Sequence, residues 1–400
     1  MRGLKRILIL TSTFPRWKDD EDPPFVFELC SRLKEHYRVH VLAPHYPGTE
    51  TKEYLVGIHV KRFRYFFTPW ERLAYQGGIL AKLKHNPWQY GLLPFFFLGE
   101  LFSLIRFLRS YRFHLIHAHW LIPQGLVALL ARLFIKSAPP LLCTSHGGDL
   151  FGLQGNLFNM VKRLIVLNST AVTVVSSAML EEVIKLDAGY DQIHVIPMGV
   201  DLQNRFVPPA TRVNKGSLLF VGRLVEKKGL RYLIEALPLI LKRHPEVCLR
   251  IAGDGPEKGN LKAQCAKLGI SDHVRFLGAV KNERLPALYQ TSDVVVFPSV
   301  IADDGDREGF GLVLVEALGC ECATVVTDLP AMRDIIIDGK TGLVVPQKSI
   351  RQLAEKVIGL LDDPEMGRLV GKEGRRFVLE RYDWDIIARQ YAVLIESIIY

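Results

Sequence analysis

The feature that most constrains this chain is a double series of short β-branched runs, each followed by a helical stretch, with one break near the middle. Arg6–Thr11 (RILILT), Arg38–Ala43 (RVHVLA), His114–His117, Leu141–Ser145, Ala171–Ser176 and Ile193–Pro197 read as strands. Phe25–Leu33, Phe95–Leu108, Gly125–Phe134 and Ala178–Lys185 read as helices between them. Strands that are apolar throughout, alternating with helices, specify a parallel sheet covered on both faces. The pattern stops at Asp201–Lys215, where Pro208, Pro209 and several polar residues suggest an interdomain linker. It then resumes with strands at Leu218–Val221, Cys248–Ala252, Val274–Leu277, Val294–Pro298, Ala323–Thr327 and Gly342–Val345. Their helices fall at Leu230–Lys242, Lys258–Lys267, Phe310–Leu318 and Leu353–Leu361. The expectation is an α/β chain of two doubly wound domains, 1–205 and 206–383, facing across a cleft. Ligands in such sheets sit at the carboxyl ends of the strands. A last helix, Trp384–Ile399, is long enough to cross back, so that 384–400 brace the first domain.

Charge separates the two halves. Of 51 basic and 42 acidic residues, 24 and 16 lie in 1–210, and 27 and 26 in the remainder. The N-terminal half therefore carries nearly all of the +9 excess and is the half suited to an anionic partner. No nucleic-acid reading motif accompanies that excess, which argues against DNA or RNA. The six cysteines, Cys30, Cys143, Cys248, Cys265, Cys320 and Cys322, have no zinc spacing and suit free thiols in a reducing cytosol. The N-terminus lacks the small-residue cleavage site of a secretion signal. The most apolar stretch, Leu92–Leu108, is interrupted by Pro94, Glu100 and Arg106. A membrane span needs about 20 mostly apolar residues, so a buried or interfacial helix is expected there.

Several strand ends carry residues with chemical use. Leu218–Val221 runs into Gly222-Arg223, and Lys228-Gly229 follows just before a helix, which puts two cations at the carboxyl end of the second domain's first strand. Such cations bind a diphosphate and stabilise it as it leaves. In Glu308-Gly309-Phe310-Gly311 the first carboxylate lies where a loop becomes the helix Phe310–Leu318, and Glu316 lies about two turns into it. Along a helix their two Cα atoms would stand roughly 12 Å apart, which puts one carboxylate within reach of a sugar and the other of a ribose. Gly309 and Gly311 let a ligand approach the backbone, and N–H groups at a helix start favour phosphate oxygens. Gly253-Asp254-Gly255-Pro256 and Phe297-Pro298-Ser299 end two further strands. In the first half, Thr144-Ser145-His146-Gly147-Gly148-Asp149 ends a strand in a histidine. Neither half has a G-x-G-x-x-G turn between a first strand and helix, which argues against a nicotinamide enzyme.

As an ordered set these residues resemble glycosyltransferase family 4, whose members have the GT-B fold of two facing Rossmann-like domains. The resemblance spans nearly the whole chain and is strongest from Leu218 to Pro346. It implies a retaining hexosyl transfer from a nucleoside diphosphate sugar to an acceptor hydroxyl, with no cofactor and no metal requirement. Arg223 and Lys228 match the pair that holds the donor diphosphate, with Gly222, Gly253 and Ser299 at neighbouring strand ends. Glu308 matches the carboxylate near the donor sugar, and Glu316 the one that binds the ribose. Gly309, Phe310 and Gly311 match the backbone beside the phosphates, and His146 a first-domain histidine close to the transferred sugar.

Two turns depart from the pattern. Thr13-Phe14-Pro15-Arg16, followed by Asp19-Asp20-Glu21-Asp22 and Pro23-Pro24, stands where a Gly-Gly turn is common, and so does Asp328-Leu329-Pro330-Ala331. Asp304 and Asp306 admit a rival reading as the metal-binding pair of the other transferase fold, and His117-Ala118-His119-Trp120 reads as a strand end facing the cleft. An epimerase acting on the nucleotide sugar, or a non-catalytic membrane-surface scaffold, would keep the same fold. Lys61, Arg62 and Arg64 beside Tyr65, Phe66, Phe67 and Trp70, then Lys82, Lys84, Trp88 and Tyr90, suit an anionic membrane interface. A cytoplasmic enzyme, peripheral on the inner face of the membrane and acting on a sugar or lipid-linked sugar acceptor, is the combined expectation.

Overall fold

The computed structural model describes residues 4–17, 20, 22, 24–75, 77–187, 189, 191–211 and 216–400, with the backbone alone at 81, 84 and 85. Asp19, Glu21 and Pro23 of the acidic turn, the Lys84 side chain and residues 212–215 of the linker lie outside this description. The chain divides into two units, Met1–Gly199 with Ile387–Tyr400, and Val200–Ile386.

The first unit holds an eight-stranded sheet. In chain order its strands are β1 (Arg6–Leu10), β2 (Arg38–Pro44), β3 (Lys52–Leu55), β4 (Ile58–Phe63), β5 (Leu115–His119), β6 (Leu141–Ser145), β7 (Ala171–Val174) and β8 (Ile193–Val195). They lie in the order β3-β4-β2-β1-β5-β6-β7-β8, parallel except for the β3–β4 hairpin. β1, β5, β6 and β7 are almost wholly buried, as strands covered on both faces must be. The hairpin was not expected. KEYL and IHVKRF mix charges into short runs, and β3, at the sheet edge, leaves half of its side chains in water.

The second unit holds a six-stranded parallel sheet of β9 (Ser217–Val221), β10 (Cys248–Ala252), β11 (Val274–Gly278), β12 (Val294–Phe297), β13 (Ala323–Thr327) and β14 (Leu343–Val345), in the order β11-β10-β9-β12-β13-β14. Its core joins inward residues of these strands to Leu230, Leu233, Leu237 and Ile240 of the helix Leu230–Arg243 and to Leu353, Val357 and Leu360 of Ile350–Asp362. The strand order reverses between β1 and β5 in one unit and between β9 and β12 in the other, the two positions where a parallel sheet opens a binding crevice.

The expected linker is anchored at its start. Leu202 and Phe206 are buried, and Arg375 donates to the Leu202 and Phe206 carbonyls at 3.1 and 3.0 Å. Val200 pairs with Asp383 as an isolated parallel bridge, so the segments entering and leaving this unit lie side by side. The final helix, Trp384–Ile399, begins in the second unit and ends in the first. There Ile387, Tyr391 and Ile395 are buried, and the Tyr391 hydroxyl lies 3.4 and 3.3 Å from those of Thr144 and Thr173. None of the six cysteines is joined in a disulfide.

Candidate functional site

In the second unit, the predicted donor residues gather at the carboxyl ends of β9, β10 and β12. Gly222 follows β9 and donates its N–H to Ala252 at 3.0 Å, while Gly253 follows β10 and donates to Gly278 at 2.8 Å. Arg223 is exposed on the loop beyond β9. Gly229, with φ of 61°, caps the helix Leu230–Arg243, and a Cβ there would stand 1.9 Å from the Pro298 carbonyl oxygen. Only glycine lets this loop lie against the end of β12. There the Val300 N–H donates to the Lys227 carbonyl at 2.8 Å, and the intervening Ser299 is buried and accepts a hydrogen bond from Thr327 on its carbonyl. The Lys228 chain folds back over Gly222, its Cε 3.5 Å from where a Cβ would be.

Lys228 and Glu308, 80 residues apart, form a half-buried ion pair. Burial alone would raise the Glu308 carboxyl, but Lys228, Lys227 and the Gly309 N–H outweigh it and hold the group below the usual carboxylate range. Glu308 is therefore ionised at neutral pH. Lys227 meets Asp306 at 3.0 Å, and Asp304 accepts the Asp306 N–H at 3.0 Å, which ties the acidic run to the same loop. Among the described residues no group of three or more His, Cys, Asp or Glu is disposed to hold a metal ion.

The helix after Glu308 starts later than expected. It runs Leu312–Gly319, capped by Gly311 in the left-handed region at φ 99°. Glycine there favours a turn over helix propagation, so Glu308, Gly309 and Phe310 belong to a loop, and the helix starts at Leu312. The Phe310 ring is buried 5.7 Å from that of Tyr382. Glu316 is buried within the helix and accepts a 3.0 Å hydrogen bond from Tyr289. Burial pushes its carboxyl up to about 7, against the opposing pull of Tyr289 and the Arg205 guanidinium. Tyr289 and Arg205 escaped the sequence reading, since nothing local ties either to position 316. A cavity of about 290 Å³ in this unit, lined by Gly216, Asp293 and Ala323, lies at the opposite, amino ends of the strands and involves none of these residues.

In the first unit, His146 follows β6. Its Nε2 lies 2.9 Å from Nδ1 of His119, with the two rings within 10° of parallel. His117 and His119, two apart on β5, share one face of the sheet, and their rings stack at 4.3 Å. His117 is hydrogen-bonded to Thr144 at 2.7 Å. Both imidazoles are buried, so the expected presentation of 117–120 at an open strand end does not hold for them. Burial drives His117 and His146 down to about 3 and His119 well below its ordinary value, leaving three neutral rings. Asp149 accepts from the Leu121 N–H at 2.6 Å and the Ser145 hydroxyl at 2.8 Å, which fixes the turn after His146. Phe25 and Trp120 flank His146 at 4.8 and 5.0 Å and also wall a cavity of about 280 Å³ with Thr13, Tyr75, Ile79 and Pro123.

The expected membrane cations are largely committed elsewhere. Arg62 is buried, paired with Glu53 at 2.7 Å and bonded to Tyr75 at 2.9 Å, and Arg64 pairs with the buried Glu71 at 2.7 Å. The aromatic residues fare differently: Phe67, Trp70, Trp88 and Tyr90 are exposed, Trp88 by 92%. Among the described residues one helical run, Pro87–Ser110, is long and apolar enough to cross a membrane by length and composition. Its helix Leu93–Ser110 nevertheless buries Phe96, Glu100, Leu104 and Phe107, and at Gly99 a Cβ would meet the Arg64 carbonyl at 2.6 Å, so one face is seated in the unit.

Comparison with known proteins reaches both units. Residues 24–204 match the family described as Glycosyltransferase Family 4, and 204–377 match Glycosyl transferases group 1. A GDP-mannose-dependent alpha-(1-6)-phosphatidylinositol monomannoside mannosyltransferase of Mycobacterium tuberculosis is 30% identical over 300 residues, 72% of this chain and 78% of that one. The chain belongs to glycosyltransferase family 4. This transferase is also 29% identical to glycogen synthase of the same organism over 286 residues, 70% of this chain and 68% of that one. It is 27% identical to a phosphatidyl-myo-inositol mannosyltransferase of Mycolicibacterium smegmatis, over 93% and 89% of the two chains. In fold it is similar to sucrose-phosphate synthase of Thermosynechococcus elongatus (TM-score 0.79, 22% identity, 98% of each chain). It is similar too to Anabaena HepE, solved with UDP and glucose (TM-score 0.74, 19% identity, 99% of this chain and 100% of that one). Its two parallel-sheet units are those of the GT-B class, and the enzyme is a glycosyltransferase.

Proposed function

We propose that this transferase moves a hexosyl group from a nucleoside diphosphate sugar to an acceptor hydroxyl with retention of anomeric configuration. The observation that carries the reading is the Lys228–Glu308 pair seated over Gly222 at the strand-order reversal. A donor diphosphate arriving there exchanges with Glu308 for the Lys228 ammonium, while Arg223 supplies a second cation and Glu308 turns to the sugar hydroxyls. The bond from the anomeric carbon to the phosphate oxygen breaks, and the acceptor oxygen bonds on the same face. The acceptor proton leaves on the departing phosphate, whose charge Arg223, Lys228 and the backbone at Gly309 and Gly311 stabilise. Glu316 holds the ribose, and His146 is assigned to the transferred sugar from the family pattern alone. The scheme has no metal step, because side chains provide the positive charge.

The acceptor belongs to cell-envelope polysaccharide or glycolipid synthesis and is met at an anionic membrane surface on the cytoplasmic side. The exposed Phe67, Trp70, Trp88 and Tyr90 support this, as do the phosphatidylinositol acceptors in the names of two relatives. A nucleotide-sugar panel including UDP-glucose and GDP-mannose, scored for binding and slow hydrolysis, tests the donor reading. One member should be bound and hydrolysed in preference, with activity preserved in excess EDTA. No binding of any member would overturn the reading, and activity lost to EDTA and restored by magnesium or manganese would promote Asp304 and Asp306 to metal ligands.

A further inference from the structure

Helices Leu93–Ser110, Leu126–Arg132 and Asn156–Asn168 make the three successive crossovers β4 to β5, β5 to β6 and β6 to β7. Each crossover steps in the same direction across the sheet, and right-handed connections then put all three on one face. They pack side by side, the first against the second and the second against the third. Their inward residues, such as Phe96, Leu104, Val127 and Ile165, are buried.

Their outward residues are also apolar. Phe95, Leu98 and Phe102 form an exposed stripe at helical spacing on the first helix. Leu157, Met160, Leu164 and Leu167 repeat the pattern on the third, and Leu133 and Phe134 lie exposed just past the second. A layer apolar on both sides is not what a water-facing helix needs, and soluble monomers rarely leave so broad a patch uncovered. The charges have a single sign. Across 92–110, 126–136 and 156–168 the one acidic residue is Glu100, which is buried. Arg106, Arg109, Arg132, Lys136 and Arg163 are not buried, although Arg132 donates to the Asn168 carbonyl and Arg163 has Asp187 at 3.6 Å.

We propose that this three-helix face is the membrane-docking surface of the enzyme, its apolar stripes entering the headgroup boundary of an anionic bilayer and its arginines meeting lipid phosphates. The inference rests on the membrane reading above and changes which residues carry it, from the segment 61–90 to the crossover helices. Like charge on both partners opposes pairing of this face with a second copy and favours an anionic surface.

Co-sedimentation with phosphatidylcholine vesicles, with and without phosphatidylglycerol, tests it on the full chain. Wild type should bind the anionic vesicles alone, less as salt rises. Leu133→Glu and Met160→Glu should each weaken binding roughly tenfold, the partitioning of one leucine-sized side chain, with circular dichroism and melting unchanged. Should either variant unfold, Arg106→Gln with Arg109→Gln alters no buried group and should remove part of the salt-sensitive binding. Wild-type binding that all of these variants retain overturns the proposal but leaves the membrane reading, as does binding abolished by Trp88→Ala alone. Absence of wild-type binding at low salt ends both. A concentration-dependent dimer dissolved by Leu133→Glu, with vesicle binding intact, also overturns it and makes the face a self-association surface.

Discussion

The two units share a plan and differ in chemistry at corresponding points. In each, a parallel sheet reverses its order, and the named residues stand at the carboxyl ends of strands beside the reversal. In the second unit those residues are ion pairs, Lys228 with Glu308 and Lys227 with Asp306. In the first they are neutral imidazoles, stacked and linked by one ring-to-ring hydrogen bond. The neighbouring lysines keep the Glu308 carboxyl ionised, which suits a site that trades one anion for a ligand bearing phosphates. Imidazoles packed away from water without a carboxylate partner lose their protons, since desolvation has nothing to offset it. The named strand ends of the second unit thus hold charge, and the imidazoles at those of the first exclude it.

The largest test of that contrast is removal of a charge from the second unit. Lys228→Ala or Arg223→Ala should lower donor turnover about 10- to 150-fold, the loss of one charge-assisted contact. Wild-type rates in both variants would break the comparison. The carboxylates sharpen it next. Glu316→Gln should weaken free UDP or GDP and the matching donor sugar alike by about tenfold, whereas Glu308→Ala should weaken mainly the full donor. Calorimetry separates the two, and equal losses for both ligands in both variants would remove the division of labour.

A pH series should show the units moving in opposite directions. The Glu316 carboxyl is raised to about 7, so its contribution is complete below the ordinary carboxylate range and is lost as pH climbs through about 7. His117 and His146 are lowered to about 3, so their contribution is complete above the ordinary histidine value near 6.5 and is lost as pH falls below it. Glu316→Gln should flatten the neutral side of the stability profile and leave the acid side unchanged, each kcal/mol moving a melting point by about 2–4 °C. An unchanged neutral side would show Glu316 to be ionised when folded.

The smallest effect is expected at His119. It contacts His146 through Nδ1, a position that the amide of Asn reproduces and that of Gln does not. His119→Gln should lower turnover roughly threefold to tenfold, one neutral hydrogen bond, and His119→Asn should restore most of it. Nitrogen-15 spectra of labelled histidine should show the His146 tautomer altered in the Gln variant alone. The same loss in both, with the His146 signals unmoved, would reduce the contact to packing.

Much of the second unit was legible because its signals are local. Its β-branched strands, the glycines that end them and the helices between lie within a few residues of one another. Cys248–Ala252, Ala323–Thr327 and Lys258–Lys267 have the limits their residues suggest. The helix Asn156–Asn168 was missed because its apolar residues point both inward and outward, which blurs the periodicity that marks a helix. Arg62 misled for a related reason: a basic residue among aromatics looks alike whether it meets lipid or is buried against a carboxylate of its own unit.

The sequence by itself determined that this chain makes two parallel α/β sheets, which strand ends carry cations and carboxylates, and which half bears the excess charge. Each of these depends on residue type and near spacing alone. Tertiary structure decided the partners. Lys228 meets Glu308 across 80 residues, Tyr289 meets Glu316 across 27, and Tyr391 reaches Thr144 across 247. It also decided the protonation states, because desolvation depends on what the fold packs around a group, and the chain order of neighbours does not record that.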